Sequence, residues 1–353
     1  MKKAIKYSLL AVVAVFSVLA ACMAIKSYDI NQEQEDGSLA PRIEVGKVAT
    51  FTLVGSVESI EDSDADSRLI VAMLAPRSWD VRNTATLTFR AGVAFDPLED
   101  QTMSPIPLTE SPTHKAGYTW SEALMNEYGI GSNKINDMEW VAWWADEAVP
   151  YFNGFKPDFT VTIKVPVSQE NLIAQLGFFV NHSTHGFDGG LNNNSHYDQT
   201  FTHETFTVYG GPEETLDYTK TRFNMTEPTR ALQDDIITFT FAGESNINDL
   251  VKADEIYFVA TAHTAEGGTY TVDKRDSETL MTRPNTNTQN YNVTIWPVGF
   301  FGIPEGETIT DIDYYYTNRD GSVIVNKSYD TLINGDTPER DDIPFNFKMK
   351  CGV

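Results

Sequence analysis

The chain has 353 residues, with 26 Lys plus Arg against 50 Asp plus Glu and a formal net charge of −24. Its hydrophobic fraction of 41% and aromatic fraction of 12% are enough to fill real cores, which excludes wholesale disorder. The acidic excess excludes a phosphate-neutralising face for nucleic acid, and two Cys exclude a disulfide scaffold or a Cys-rich zinc module.

Lys2, Lys3 and Lys6 precede an uncharged run from Tyr7 to Ile25 that contains SLLAVVAVFSVLAAC, the pattern of a secretory signal. Nineteen uncharged residues between Lys6 and Lys26 approach the roughly 20 of a membrane anchor, so the end of the run decides between the two. Leu19-Ala20-Ala21-Cys22 resembles a bacterial lipoprotein lipobox, which implies that residues 1–21 are removed and that Cys22 carries lipid. Removal takes three Lys and no acid, so −24 becomes −27. Cys351 is then left with no intramolecular partner for a disulfide or a Cys–His metal site. Residues 22–42 are polar with no clear period and are expected to form a flexible tether.

From Glu44 onward the pattern is period two, with β-branched and aromatic residues between turn clusters. Val48–Val57, Arg68–Leu74, Thr84–Phe89, Met138–Trp144, Phe159–Val165, Leu176–Val180 and Glu204–Tyr209 are the first strand candidates. Two short helices are expected among them. Trp120–Gly129 ends on a Gly, and Ser168–Gln175 begins on a capping Ser. Pro97–Tyr118 carries four Pro and is expected to be a long loop. Gly210-Gly211-Pro212 breaks the series, so residues 43–211 and 212–353 are expected as separate domains. The second series runs through Ile236–Phe241, Glu255–Thr261, Gly268–Val272, Tyr291–Pro297, Ile309–Tyr316, Ser322–Val325 and Phe345–Met349. The expected fold class is all-β, two tandem immunoglobulin-like β-sandwiches. Rossmann and barrel enzymes are excluded by the lack of helix-rich α/β stretches.

Candidate chemistry is sparse. His182, His185, His196 and His203 fall within 22 residues, and adjacent strands could bring His185 and His203 together, which spacing alone does not show. The intervening Gly/Asn-rich stretch makes surface-loop histidines the default, so no metal site is expected. Asp188, Asn192, Asn194 and Asp198 offer hard oxygens that suit calcium better than zinc. Glu61–Asp66 begins like a calcium-binding loop, but Ser67 and Met73 stand where that loop needs Gly and Glu. No nucleophile elbow, HExxH or phosphate-cradling loop is present, so no enzyme and no cofactor are expected.

The aromatic placement carries more. Trp140, Trp143 and Trp144 crowd one strand, Trp140 and Trp144 on one face and Trp143 on the other. An exposed ring beside carboxylates and amides suits sugars, whose C–H patches pack on π-faces while hydroxyls bond Asp and Asn. Trp143, Trp144, Tyr315, Trp296, Asp188 and His196 are therefore the glycan-binding candidates, with core packing as the competing reading for each Trp.

Leu69–Phe89 and Trp120–Trp144 resemble an uncharacterised β-sandwich family of surface lipoproteins from Bacteroidetes-type polysaccharide-utilisation loci. Phe300–Ser322 is similar to modules of starch-utilisation surface glycan-binding proteins, where a strand ending in an aromatic run and an N-x-D-G turn is common. The resemblance implies a lipid-anchored protein of the outer membrane and cell surface, with glycan or an outer-membrane transporter complex as partner. The alternative is an assembly lipoprotein that binds a protein partner without sugar affinity.

Overall fold

A computed structural model of the chain describes residues 23–57, 66–91, 100–149, 158–187, 196–212, 215–220, 224–243, 249–284, 289–329 and 343–350. Cys22, Asp188, Asn192, Asn194, Cys351 and all of Glu61–Asp66 except its last residue lie outside them. The chain divides into two compact units, Met1–Thr219 and Lys220–Val353, and the described structure of both is dominated by strands.

The first unit carries β1 (Met23–Asp29), β2 (Gln32–Glu33), β3 (Leu39–Ala40), β4 (Arg42–Glu44) and β5 (Val48–Val57). It continues with β6 (Leu69–Pro76), β7 (Thr86–Ala91), β8 (Gln101–Pro105), helix α1 (Trp120–Tyr128), β9 (Met138–Ala145) and β10 (Asp158–Pro166). β11 (Leu172–Ala174), β12 (Gly177–His182), β13 (Asp198–Phe201), β14 (Phe206–Tyr209) and β15 (Leu216–Asp217) complete it. Nine strands form an antiparallel sheet in the order β1-β5-β10-β7-β8-β9-β6-β12-β13. Its two edges approach each other. Ile25 N on β1 donates to Asp198 Oδ2 on β13 at 2.8 Å, and the Tyr28 and Phe178 rings lie 5.8 Å apart. Curling brings together two edges that would otherwise expose unpaired backbone.

A second sheet, β15-β11-β14-β4, packs over one face of the first. Phe206 on β14 meets Phe51 on β5 at 5.1 Å and Trp79 at 5.8 Å. Helix α1 covers the other face, with Tyr128 6.3 Å from Trp140 and Trp120 6.4 Å from Phe179. Two covered faces explain why all eight residues of β6 are buried and why that strand reads as a continuous apolar run, whereas β5 alternates. The sequence places α1 because Thr119 and Glu122 form a capping box and Gly129 ends the helix at φ 63°.

Several expectations need correction. Residues 22–42 are not a tether. β1 pairs with β5 from Met23↔Val57 to Asp29↔Thr52, and Met23 (1% exposed) and Ile30 are buried. An edge strand needs only one apolar side, so its polar residues concealed it. Ser168–Gln175 is not a helix. Its Leu172–Ala174 is β11, bonded to β14 and β15, and inward-facing Leu172 and Ala174 match strand period. The expected Pro97–Tyr118 loop contains β8, which joins β7 to β9. The first unit extends past Gly210–Pro212, because β15 returns to pair with β11.

The second unit pairs β16 (Asn224–Glu227), β17 (Ile237–Ala242) and β20 (Asn290–Ile295) in one sheet. The other holds β18 (Ile256–Thr264), β19 (Thr269–Val272), β21 (Ile309–Asn318), β22 (Ile324–Val325) and β23 (Phe345–Lys348). Helix α2 (Pro297–Phe301) follows β20. The two sheets meet through Phe239 on β17, whose ring lies 4.7 Å from Phe258 on β18 and 4.8 Å from Tyr314 on β21.

Candidate functional site

The outer face of the three-stranded sheet in the second unit carries the most open aromatic ring among the sequence candidates. Along β20, Tyr291, Val293 and Ile295 pair with Phe241, Phe239 and Ile237, the inward set. Asn290, Asn292 and Thr294 therefore face outward, opposite Ala242, Thr240 and Thr238. The Thr238 and Thr294 hydroxyls bond each other at 2.9 Å. The side-chain oxygens of Asn290 and Asn292 are buried and have no hydrogen-bond partner. One step beyond the ladder the same alternation reaches Trp296, 50% exposed, with Ile236, 66% exposed, on the facing strand end.

Trp296 is held there by α2. Pro297 starts the helix, Phe300 N donates to Trp296 O at 2.9 Å, and Gly302 ends it at φ 64°. The indole lies flat on Gly299. A Cβ at that position would sit 2.4 Å from Trp296 Cε3 and 2.6 Å from Cζ3. Only Gly lets the ring settle on the backbone, and the arrangement leaves an exposed apolar ring beside the Thr294 and Thr238 hydroxyls. The sequence signals for this, Pro297, Gly299 and Gly302 in WPVGFFG, are all present, but the expected strand Tyr291–Pro297 takes in Pro297 and leaves the two glycines unread.

The other candidates are placed differently. Trp143 is fully buried at 0% exposure, with its Nε1 unpartnered. Register puts it opposite Val71 and on the same face as Phe51, the face under the second sheet, so it offers no platform. Trp144 is half-buried on the helix-covered face, and the Arg68 guanidinium lies over its ring at 5.0 Å. Tyr315 is half-buried on the five-stranded sheet of the second unit, opposite Val259 and on the same side as Asp313 and Asp311. There Nε2 of His263 lies 3.0 Å from Asp313 Oδ2, and Asn346 Nδ2 donates to both Asp311 and Asp313. Burial raises the Asp311 pKa, but the Thr310 hydroxyl and Asn346 amide, with Lys348 and His263, bring it below its ordinary value. His263, Asp311 and Asp313 present ligand atoms within 4.8 Å of one another.

The clustered histidines are not surface-loop residues throughout. His182 is buried at 7% exposure at the end of β12. The partner that reaches His185 is His196, with ring centroids 3.9 Å apart. His203 instead lies against Tyr28 at 6.1 Å, its backbone N–H donating to the Tyr28 hydroxyl.

With this geometry in place, residues 30–222 match the model of a domain of unknown function, DUF4961. The chain belongs to the DUF4961 family. Residues 224–325 match a second domain of unknown function, DUF8578. No curated protein matches the chain. The C-terminal domain of the Streptococcus pyogenes antigen I/II-family protein AspA aligns over 94% of this chain and 100% of its own, at 8% identity and a TM-score of 0.27. The Streptococcus agalactiae BspA C-terminal domain aligns over 86% of this chain and 98% of its own, at 10% identity and 0.26. AvmM, which catalyses macrocyclization in alchivemycin A biosynthesis, covers 55% of this chain and 92% of its own, at 10% and 0.28. Scores this low transfer no function to the DUF4961 chain. Among its described residues no helix is long and apolar enough to cross a membrane.

Proposed function

We propose that the chain is a non-catalytic, lipid-anchored cell-surface protein of the outer membrane that binds glycan on the outer face of its second unit. The observation that carries the reading is Trp296, an indole seated on Gly299 with its ring half exposed beside the Thr294 and Thr238 hydroxyls. A sugar ring stacks its C–H patch on such a surface while its hydroxyls bond the neighbouring threonine hydroxyls. The lipobox at Leu19–Cys22 and the acidic surface support a secreted, tethered setting. Native affinity electrophoresis across a polysaccharide panel tests the binding. The wild-type chain is expected to be retarded by at least one polysaccharide, and Trp296→Ala to weaken that affinity about ten- to a hundredfold, the worth of one buried aromatic. Folded protein that no polysaccharide retards would refute the reading. Mass spectrometry of the mature N-terminus tests Cys22 lipidation, with Cys22→Ser expected to abolish it.

A second reading, an assembly lipoprotein that contacts an outer-membrane transporter, is favoured by the exposed apolar side chains Leu232, Ile236 and Trp296. It predicts co-purification with the transporter that Ile236→Asp abolishes, with no response to glycans.

A further inference from the structure

In the first unit, an aromatic clasp sets three imidazoles together. Phe187 packs between Trp120 and Phe179, 5.7 Å from each, and Tyr197 lies 5.5 Å from Phe187 and 5.8 Å from Phe179. The turn before Phe187 is fixed by its backbone. Gly186 N donates to His182 O, Asn181 Nδ2 donates to Gly186 O, and Phe187 N donates to Thr113 O. Gly186 sits at φ 53°, so close to Thr113 that a Cβ would meet its backbone at 2.5 Å. Closing Phe187 on Tyr197 brings His185 to His196, while His182 approaches from the end of β12 at 4.5 Å from the His185 ring and 6.0 Å from that of His196.

We infer that His182, His185 and His196 form a binding site for a divalent transition metal, with zinc the ion that fits its ligands best. Three neutral imidazoles suit zinc, copper or nickel rather than calcium, which takes oxygen donors. The His182 Nδ1 lies 3.3 Å from Ser67 Oγ, itself buried, and a hydroxyl that accepts from an Nδ1–H leaves the other ring nitrogen as the ligand. That other nitrogen, Nε2, is 3.1 Å from His185 Nδ1, which also lies 3.4 Å from His182 Nδ1. Two zinc–nitrogen bonds of about 2.0–2.1 Å at a tetrahedral angle separate their nitrogens by roughly 3.3 Å, so the pair stands close to chelating distance. The third ligand is His196, whose Nδ1 is buried without a hydrogen-bond partner. Its ring is stacked on His185 at 23°, so binding requires a rotation of that ring to aim the nitrogen at the ion. The rotation gives the buried nitrogen the partner that it otherwise lacks. A fourth position is left for water or an incoming ligand, which is the open coordination of three-protein-ligand zinc sites.

The test is zinc titration of the chelator-stripped full-length ectodomain by calorimetry, with cobalt substitution read by visible absorption. The expected result is one ion per chain and a tetrahedral nitrogen-type cobalt spectrum, with affinity at least a hundredfold weaker in His185→Ala and in His196→Ala. Both side chains are only half-buried, and thermal melts without metal check that each variant is folded. His203→Ala and His263→Ala serve as controls and should bind as wild type. Absence of binding, or binding that survives both cluster variants and disappears in His263→Ala, overturns the assignment. The latter result would move the ion to the His263–Asp311–Asp313 group on the second unit.

Discussion

Replacing Trp143 with Ala tests whether the Trp-rich strand is core or platform, and the structure sets the size of the effect. The side chain is wholly buried between β6 and β8, on the face shared with Phe51. An indole buries about 200 Å², and at about 25 cal/mol per Å² its removal costs about 5 kcal/mol. One contribution runs the other way. The Nε1–H has no partner, and deleting a buried unsatisfied donor recovers about 1–3 kcal/mol of its desolvation cost. The net expectation is a loss of about 3 kcal/mol, within the range for large-to-small core changes. For a unit of this size that lowers Tm by about 6–12 °C. Trp143→Phe keeps most of the apolar area and removes the orphan donor, so its loss should stay below about 1.5 kcal/mol. Differential scanning calorimetry on the ectodomain, following the transition of the first unit, measures both. A Trp143→Ala melt within about 2 °C of wild type would refute the core assignment. If Trp143→Phe is as damaging as Trp143→Ala, the argument from the unpartnered N–H fails.

Two further expectations concern the second unit's platform and the first unit's helix. Gly299→Ala, which on helix propensity alone would stabilise α2 by up to about 1 kcal/mol, should instead displace the indole of Trp296, read as a shift in tryptophan emission together with weaker polysaccharide retardation. Unchanged emission would show that the ring does not rest on that glycine. In α1, the Thr119 backbone N–H and hydroxyl hold the Glu122 carboxylate below its ordinary pKa of 4.5. A carboxylate depressed in the folded state stabilises above its unfolded pKa, and that contribution is lost as pH falls through the folded value. Glu122→Gln should therefore lower Tm slightly at pH 7, and the difference should shrink progressively as melts are repeated at pH values falling below 4.5; a pH-independent difference would refute the linkage.

The strands with clean alternation were legible in the sequence. Val48–Val57 is predicted and found with the same limits, because a strand with one side inward prints its burial directly as period two. Trp120–Gly129 was legible from its terminating Gly. Two kinds of element were not. β11 is three residues long, and its pairing with distant β14 and β15 outweighs the local helical signal of Ser168. β1 is a polar edge strand whose place is set by β5. The same limit governs the site. Trp143 and Trp296 are the same residue type in expected strands, and only the surroundings the fold gives them decide that one is sealed inside a sheet and the other open at a helix start. The meeting of His185 with His196 depends on the Phe187–Tyr197 contact, which no spacing rule encodes.

The first β-strand starts at Met23, immediately after the residue assigned to carry lipid. A free linker over residues 22–42 would have had a full-extension reach of about 70 Å. With β1 locked into the sheet that lever arm disappears, and an acyl group on Cys22 would hold the edge of the first unit against the bilayer. Such an anchor would limit how the domain can tilt as well as how far it can travel.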